Sequence, residues 1–109
     1  MKVKTVEDVK VAVMESRFDA YLAKDVEAEL AVLIEEGVQK LLCDFSPTEY
    51  ISSAGLRVLL STAKRLQKSG GKIVLCSLKP YVHEVFETAG FIRIFKIYDS
   101  EEEALKSLK

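Results

Sequence analysis

The apolar positions of the chain follow two rhythms, one of period two and one of helical spacing. Val9, Val11 and Val13 alternate with Lys10 and Ala12, which predicts a strand with one buried face. Met1 to Val6 alternates more weakly and reads as an edge strand, joined to the next by a Glu7-Asp8 turn. Glu15 to Leu22 reads as a loop. A helix then runs from about Ala23 to Glu36, with Val26, Leu30, Leu33 and Ile34 inward and Gly37 as its stop. Asp25, Glu27 and Glu29 fall in its first turns, where they suit the positive end of the helix dipole.

Gln39 to Phe45 is the next strand, and three apolar residues in a row, Leu41-Leu42-Cys43, predict burial on both faces. Pro47 ends it. Leu56, Leu59, Leu60, Ala63 and Leu66 then recur at helical spacing until Ser69-Gly70-Gly71. The opposite face of this helix carries Arg57, Ser61, Lys64, Arg65 and Lys68. Lys72 to Ser77 is another buried strand, and Pro80 opens a helix with Val82, Val85, Phe86 and Ala89 inward, stopped at Gly90. Ile94 to Tyr98 reads as a last strand. Ser100 and Glu103 form a capping box for a final helix that packs through Ala104, Leu105 and Leu108. The order ββαβαβαβα predicts an α/β fold, a mixed but mostly parallel sheet packed against helices.

Composition narrows the function. A chain of 109 residues is read as one domain, residues 1–109. Lys and Arg number 16 against 17 Asp and Glu, so no net field points to nucleic acid or to an anionic membrane. No apolar run approaches the ~18 residues that span a bilayer. The start, Met1-Lys2-Val3-Lys4, has no signal-peptide core, and a cytoplasmic location is expected. Cys43 and Cys76 lie in apolar strand runs and read as buried, reduced thiols. The chain has no Gly-x-Gly-x-x-Gly, P-loop, metal-ligand cluster or nucleophile–His pairing, so neither catalysis nor a cofactor nor a metal is expected.

The candidate chemistry lies at Ser52-Ser53, where a strand leads through a short loop into a helix. Ser at a helix start is ordinarily a cap for a free backbone N–H. In α/β proteins, however, strand end and helix N-terminus are also where function collects. Asp19 and Asp44 fall at element ends near Ser53, a thin version of the acidic cluster of a phosphoaspartate receiver. The clustered acids and the later Lys of that reading are otherwise poorly matched.

The run Asp44-Phe45-Ser46-Pro47-Thr48-Glu49-Tyr50-Ile51-Ser52-Ser53-Ala54-Gly55-Leu56 resembles the signature of bacterial anti-sigma factor antagonists, the STAS domains. Three positions depart from that pattern: Ser52 stands where Asp is usual, Ala54 lacks a second hydroxyl, and Ser16 replaces a glycine ahead of Phe18-Asp19-Ala20. The resemblance implies a non-enzymatic switch. Unphosphorylated, the chain binds an anti-sigma factor of the serine-kinase type and frees a sigma factor. Phosphorylation at Ser53, with Ser52 as the alternative, releases it, and a PP2C-type phosphatase resets it. The partner surface so implied comprises Phe18, Asp19, Thr48, Ser52, Ser53, Gly55 and Arg57. Alternatives on the same fold are a STAS subunit of a lipid-transport or stress-signalling assembly, and a small-molecule or nucleotide sensor.

Overall fold

Val9–Val13, the most regular alternation in the chain, is the second strand of a five-stranded sheet. The computed structural model describes residues 1–109. Its strands are β1 (Lys2–Val6), β2 (Val9–Val13), β3 (Arg17–Phe18), β4 (Lys40–Asp44), β5 (Tyr50–Ile51), β6 (Lys72–Cys76) and β7 (Lys96–Tyr98). Its helices are α1 (Ala20–Glu35), α2 (Ser53–Lys68), α3 (Pro80–Thr88) and α4 (Glu101–Ser107). The sheet order is β1-β2-β4-β6-β7, and β3 and β5 form a separate two-stranded sheet. Only β1 runs antiparallel to its neighbour; the remaining pairs are parallel. The predicted order of main strands and helices is therefore observed.

Both faces of the sheet are covered. Leu41, Cys43 and Leu75 pack under α1, α2 and α3, through residues such as Leu30, Leu59 and Phe86. Leu42, Val74 and Cys76 face the other way, onto Ala104 of α4 and Leu108 at its C-terminal cap. Side chains of a strand alternate between faces, so an unbroken apolar triplet is what a doubly covered central strand requires.

Three features differ from expectation, each for a physical reason. Helix α1 starts at Ala20 because Asp19 caps it, accepting hydrogen bonds from Tyr21 N at 3.1 Å and Leu22 N at 3.2 Å. Asp25, Glu27 and Glu29 thus lie beyond its first turn, which holds no acid, and the dipole does not explain them. The last strand is only Lys96–Tyr98, preceded by a 3-10 turn at Phe91–Arg93. That turn brings Phe91 and Phe95 onto Phe86, with ring centroids 6.0 and 6.5 Å away, and Phe45 closes the cluster at 5.9 Å. Edge-to-face aromatic contacts outweigh the strand preference there. Helix α2, finally, buries Gly55, Val58 and Thr62 besides Leu56, Leu59 and Leu66, while Leu60 and Ala63 are half-buried. It packs on α1 as well as on the sheet, so its buried arc is wider than one stripe. Thr62 is tolerated in that arc because its hydroxyl donates to the Val58 carbonyl at 2.8 Å.

The two thiols lie on opposite faces of the sheet, which separates them from each other as well as from solvent. Burial pushes the Cys76 thiol up to about 11 and the Cys43 thiol further up still. A raised thiol stays protonated at neutral pH, and the thiolate is the reactive form. We expect neither cysteine to react with a disulfide-exchange reagent in the native protein near neutral pH, and both to react at once in denaturant. Fast native labelling of either would contradict this packing.

Candidate functional site

Beyond β4 the chain leaves the sheet in a series of hydrogen-bonded steps. The Asp44 carboxylate accepts from Ser46 N at 2.9 Å, and Thr48 N donates to the Phe45 carbonyl at 2.9 Å. The Thr48 hydroxyl then crosses to the Glu15 carbonyl at 2.7 Å, and Glu49 N donates to Ser16 O at 2.8 Å. These bonds fasten the β4–β5 loop to the segment after β2. They set Arg17 opposite Tyr50 and Phe18 opposite Ile51 in a parallel pair.

The consequence lies one residue further on. Asp19 and Ser52, the next residues of the two strands, are the N-caps of α1 and α2. Two helix N-termini therefore open side by side at one end of the molecule. Ser52 N donates to the Phe18 carbonyl at 3.0 Å. Gly55 lies so close to this ladder that a Cβ would stand 2.8 Å from the Phe18 carbonyl oxygen and 2.9 Å from Ile51 Cγ1.

The two serines have different surroundings. Ser52 is half-buried, accepts from Gly55 N at 3.2 Å, and sits 3.5 Å from the Phe18 carbonyl as a donor. Ser53 is the first helical residue, is exposed, and its hydroxyl makes no hydrogen bond within the chain. Arg57, one helical turn beyond it, is exposed and free of any ion pair. Asp19 is half-buried by its capping role, with Arg17 Nε at 3.8 Å, and the Arg17 guanidinium stacks 4.7 Å over the Tyr50 ring.

Phe18, Thr48 and Gly55 require correction as surface residues. Phe18 and Thr48 have no solvent exposure and Gly55 is buried, so all three hold the site together from beneath. Asp19, Ser52, Ser53 and Arg57 remain at the surface. One neighbour escapes a reading by pattern: Tyr21, in the first turn of α1, is 88% exposed. Assigned to a loop, it carries no signal; only the Asp19 cap turns it outward beside the paired helix starts. The carboxylates of Asp19 and Asp44 are taken up by backbone N–H groups, and no three acidic, His or Cys side chains converge anywhere on the chain.

This geometry has known counterparts. Residues 1–104 match the STAS domain family. The chain is 40% identical over 104 residues to BtrV of Bordetella bronchiseptica, a protein named an anti-sigma factor antagonist, covering 95% of this chain and 90% of that one. It superposes on the crystal structure of a Thermotoga maritima protein of the same naming with a TM-score of 0.94, at 27% identity, covering 98% and 92% of the two chains. The Bacillus cell fate determinant SpoIIAA in its phosphorylated form shares the fold, with a TM-score of 0.78 at 18% identity, covering 99% and 98%.

Gly55 offers a test of how the site is built. Replacing Gly by Ala inside a helix ordinarily gains up to about 1 kcal/mol. Here the added methyl meets a backbone carbonyl that cannot swing away, and overpacking of that kind costs about 1–3 kcal/mol. Overpacking wins, so we expect Gly55→Ala to lower stability by roughly 1–2 kcal/mol in a denaturant titration. An unchanged or raised midpoint would show that the two strands part easily.

Proposed function

The chain belongs to the STAS-domain family of anti-sigma factor antagonists, and from that premise we propose that it binds an anti-sigma factor of the serine-kinase type and is switched by phosphorylation of Ser53. The observation that carries this is the division of labour between the serines. The oxygen and proton of Ser52 are committed to the Gly55 N–H and the Phe18 carbonyl, whereas the Ser53 hydroxyl stands free on the surface. A kinase reaches Ser53 without unmaking the helix cap.

The physics of the switch follows from place. A phosphoserine brings about −1.5 to −2 charges and three acceptor oxygens. At a helix N-terminus it meets unpaired N–H groups and the positive end of the dipole, so the fold accommodates it. SpoIIAA, which has this fold, exists in both phosphorylated and unphosphorylated forms. A partner packed against the same surface fares differently, because it must bury a dianion that its own face does not match. Release needs no refolding, and a PP2C-type phosphatase restores the binding state. The chain itself acts by binding, not by catalysis.

Mass spectrometry of the chain after incubation with a kinase-type anti-sigma factor and ATP decides the site. We expect phosphate on Ser53 alone, and none on Ser53→Ala, which keeps its affinity for the unphosphorylated complex. Ser53→Asp carries one charge and less bulk, and we expect it to weaken the complex by ~2–4 kcal/mol, about 30- to 1,000-fold. Phosphate confined to Ser52, with Ser53→Ala still modified, overturns the assignment.

A further inference from the structure

Helix α2 carries four cations, Arg57, Lys64, Arg65 and Lys68, and no Asp or Glu along its 16 residues. The helix dipole accounts for Arg65 and Lys68 in the last turn, but not for Arg57 or Lys64. Lys24 of α1 faces them across a groove of about 740 Å³, in which Glu27 is the single acid. All five cations are exposed and none forms an ion pair, so their charge is left to solvent and to whatever enters the groove. The floor between them is made of small or apolar residues, Ala20, Ala23, Ala54 and Val58.

From Arg57 to Lys68 the cations extend about 16 Å along the helix. That is too long for a single phosphate or carboxylate and matches about three turns of a partner helix. We infer that the groove between α1 and α2 docks an acidic amphipathic helix of the anti-sigma partner, apolar stripe on the alanine floor and acidic flank against the five cations. The inference rests on the partner proposed above and adds its chemistry. Nucleic acid fits less well: the chain carries −1 overall, and the groove offers no aromatic ring for base stacking. The groove also gives the switch a second lever. Its mouth is at Ala54 and Arg57, so a dianion on Ser53 offsets the cationic field and repels the acidic flank.

The test is a nitrogen-15 NMR titration of the chain with a synthetic helix about four turns long, Leu along one stripe and Glu on its flanks. A version with Lys in place of Glu is the control. We expect amide shifts at Ala23, Ala54, Val58 and Ser61 with the Glu peptide and none with the Lys peptide. Lys64→Glu combined with Lys68→Glu should weaken binding about tenfold or more, with an unchanged circular dichroism spectrum since both positions are exposed. An absence of shifts overturns the inference. So does a single-stranded oligonucleotide of equal charge that shifts the same amides more strongly, or self-association of the chain that the double variant abolishes. A kinase-type anti-sigma factor separates the two levels of argument. Full affinity for the double variant removes the groove and leaves the partner reading intact. Groove occupancy by the Glu peptide, with no anti-sigma binding and no phosphate uptake, keeps the groove and removes that partner.

Discussion

The site depends on how closely α2 can approach β3. The β3–β5 pair is two residues long, too short to persist by its own hydrogen bonds. What holds it is the fit of Gly55 over the Phe18 carbonyl, with Phe18 itself sunk in the core. Only a residue without Cβ lets the helix sit that near. Once it does, Ser52 N can reach the Phe18 carbonyl, and the Thr48 hydroxyl bond to Glu15 closes the other end of the loop. The relative position of two helix starts is thereby set by one glycine, one buried ring and a few backbone bonds.

Much of this fold is legible in the sequence because its signals are local and agree with one another. The alternation of Val9–Val13, the doubly buried Leu41-Leu42-Cys43 and the Ser100 cap each specify an element without reference to the rest. What escapes is set by contact at a distance. Asp19 looks like any loop acid until β3 is seen to deliver it to a helix start. Ile94 to Tyr98 reads as a strand, yet Phe91 and Phe95 pack on Phe86 and strand pairing begins only at Lys96. The site shows the same division. Ser52 and Ser53 stand out by their place between a strand and a helix, and Gly55 by the resemblance to the family signature, but the burial of Phe18 and Thr48 follows from a pairing that no local pattern encodes.

The net charge of −1 conceals an uneven distribution. Helix α1 carries Asp25, Glu27, Glu29 and Glu35 with Lys24 as its lone cation, whereas α2 carries cations and no acid. Neighbouring like charges such as Lys64 and Lys68 weaken a helix slightly, and the hydrophobic face of α2 makes that cost small beside its packing. No ion pair joins the two helices, so direct pairing does not account for the segregation. Recognition of an oppositely charged surface, as inferred above, does, since complementary charge guides encounter and excludes wrong partners more than it adds affinity.

The adjacency of a capping serine and a free serine joins these strands of argument. A cap must accept an N–H, so its oxygen is not available for chemistry without loss of helix stability, typically about 1 kcal/mol. The residue after the cap has no such duty and points outward from the first turn. In the reading proposed above, a modifiable hydroxyl at that place keeps the switch separate from the fold, and a neutral Ser52 beside it spares a phosphate the repulsion that a carboxylate cap would bring. Four residues on, Arg57 lies on the same side of the helix as Ser53. A phosphate on Ser53, as proposed above, would therefore place its charge on the side of the helix that leads through Arg57 into the α1–α2 groove.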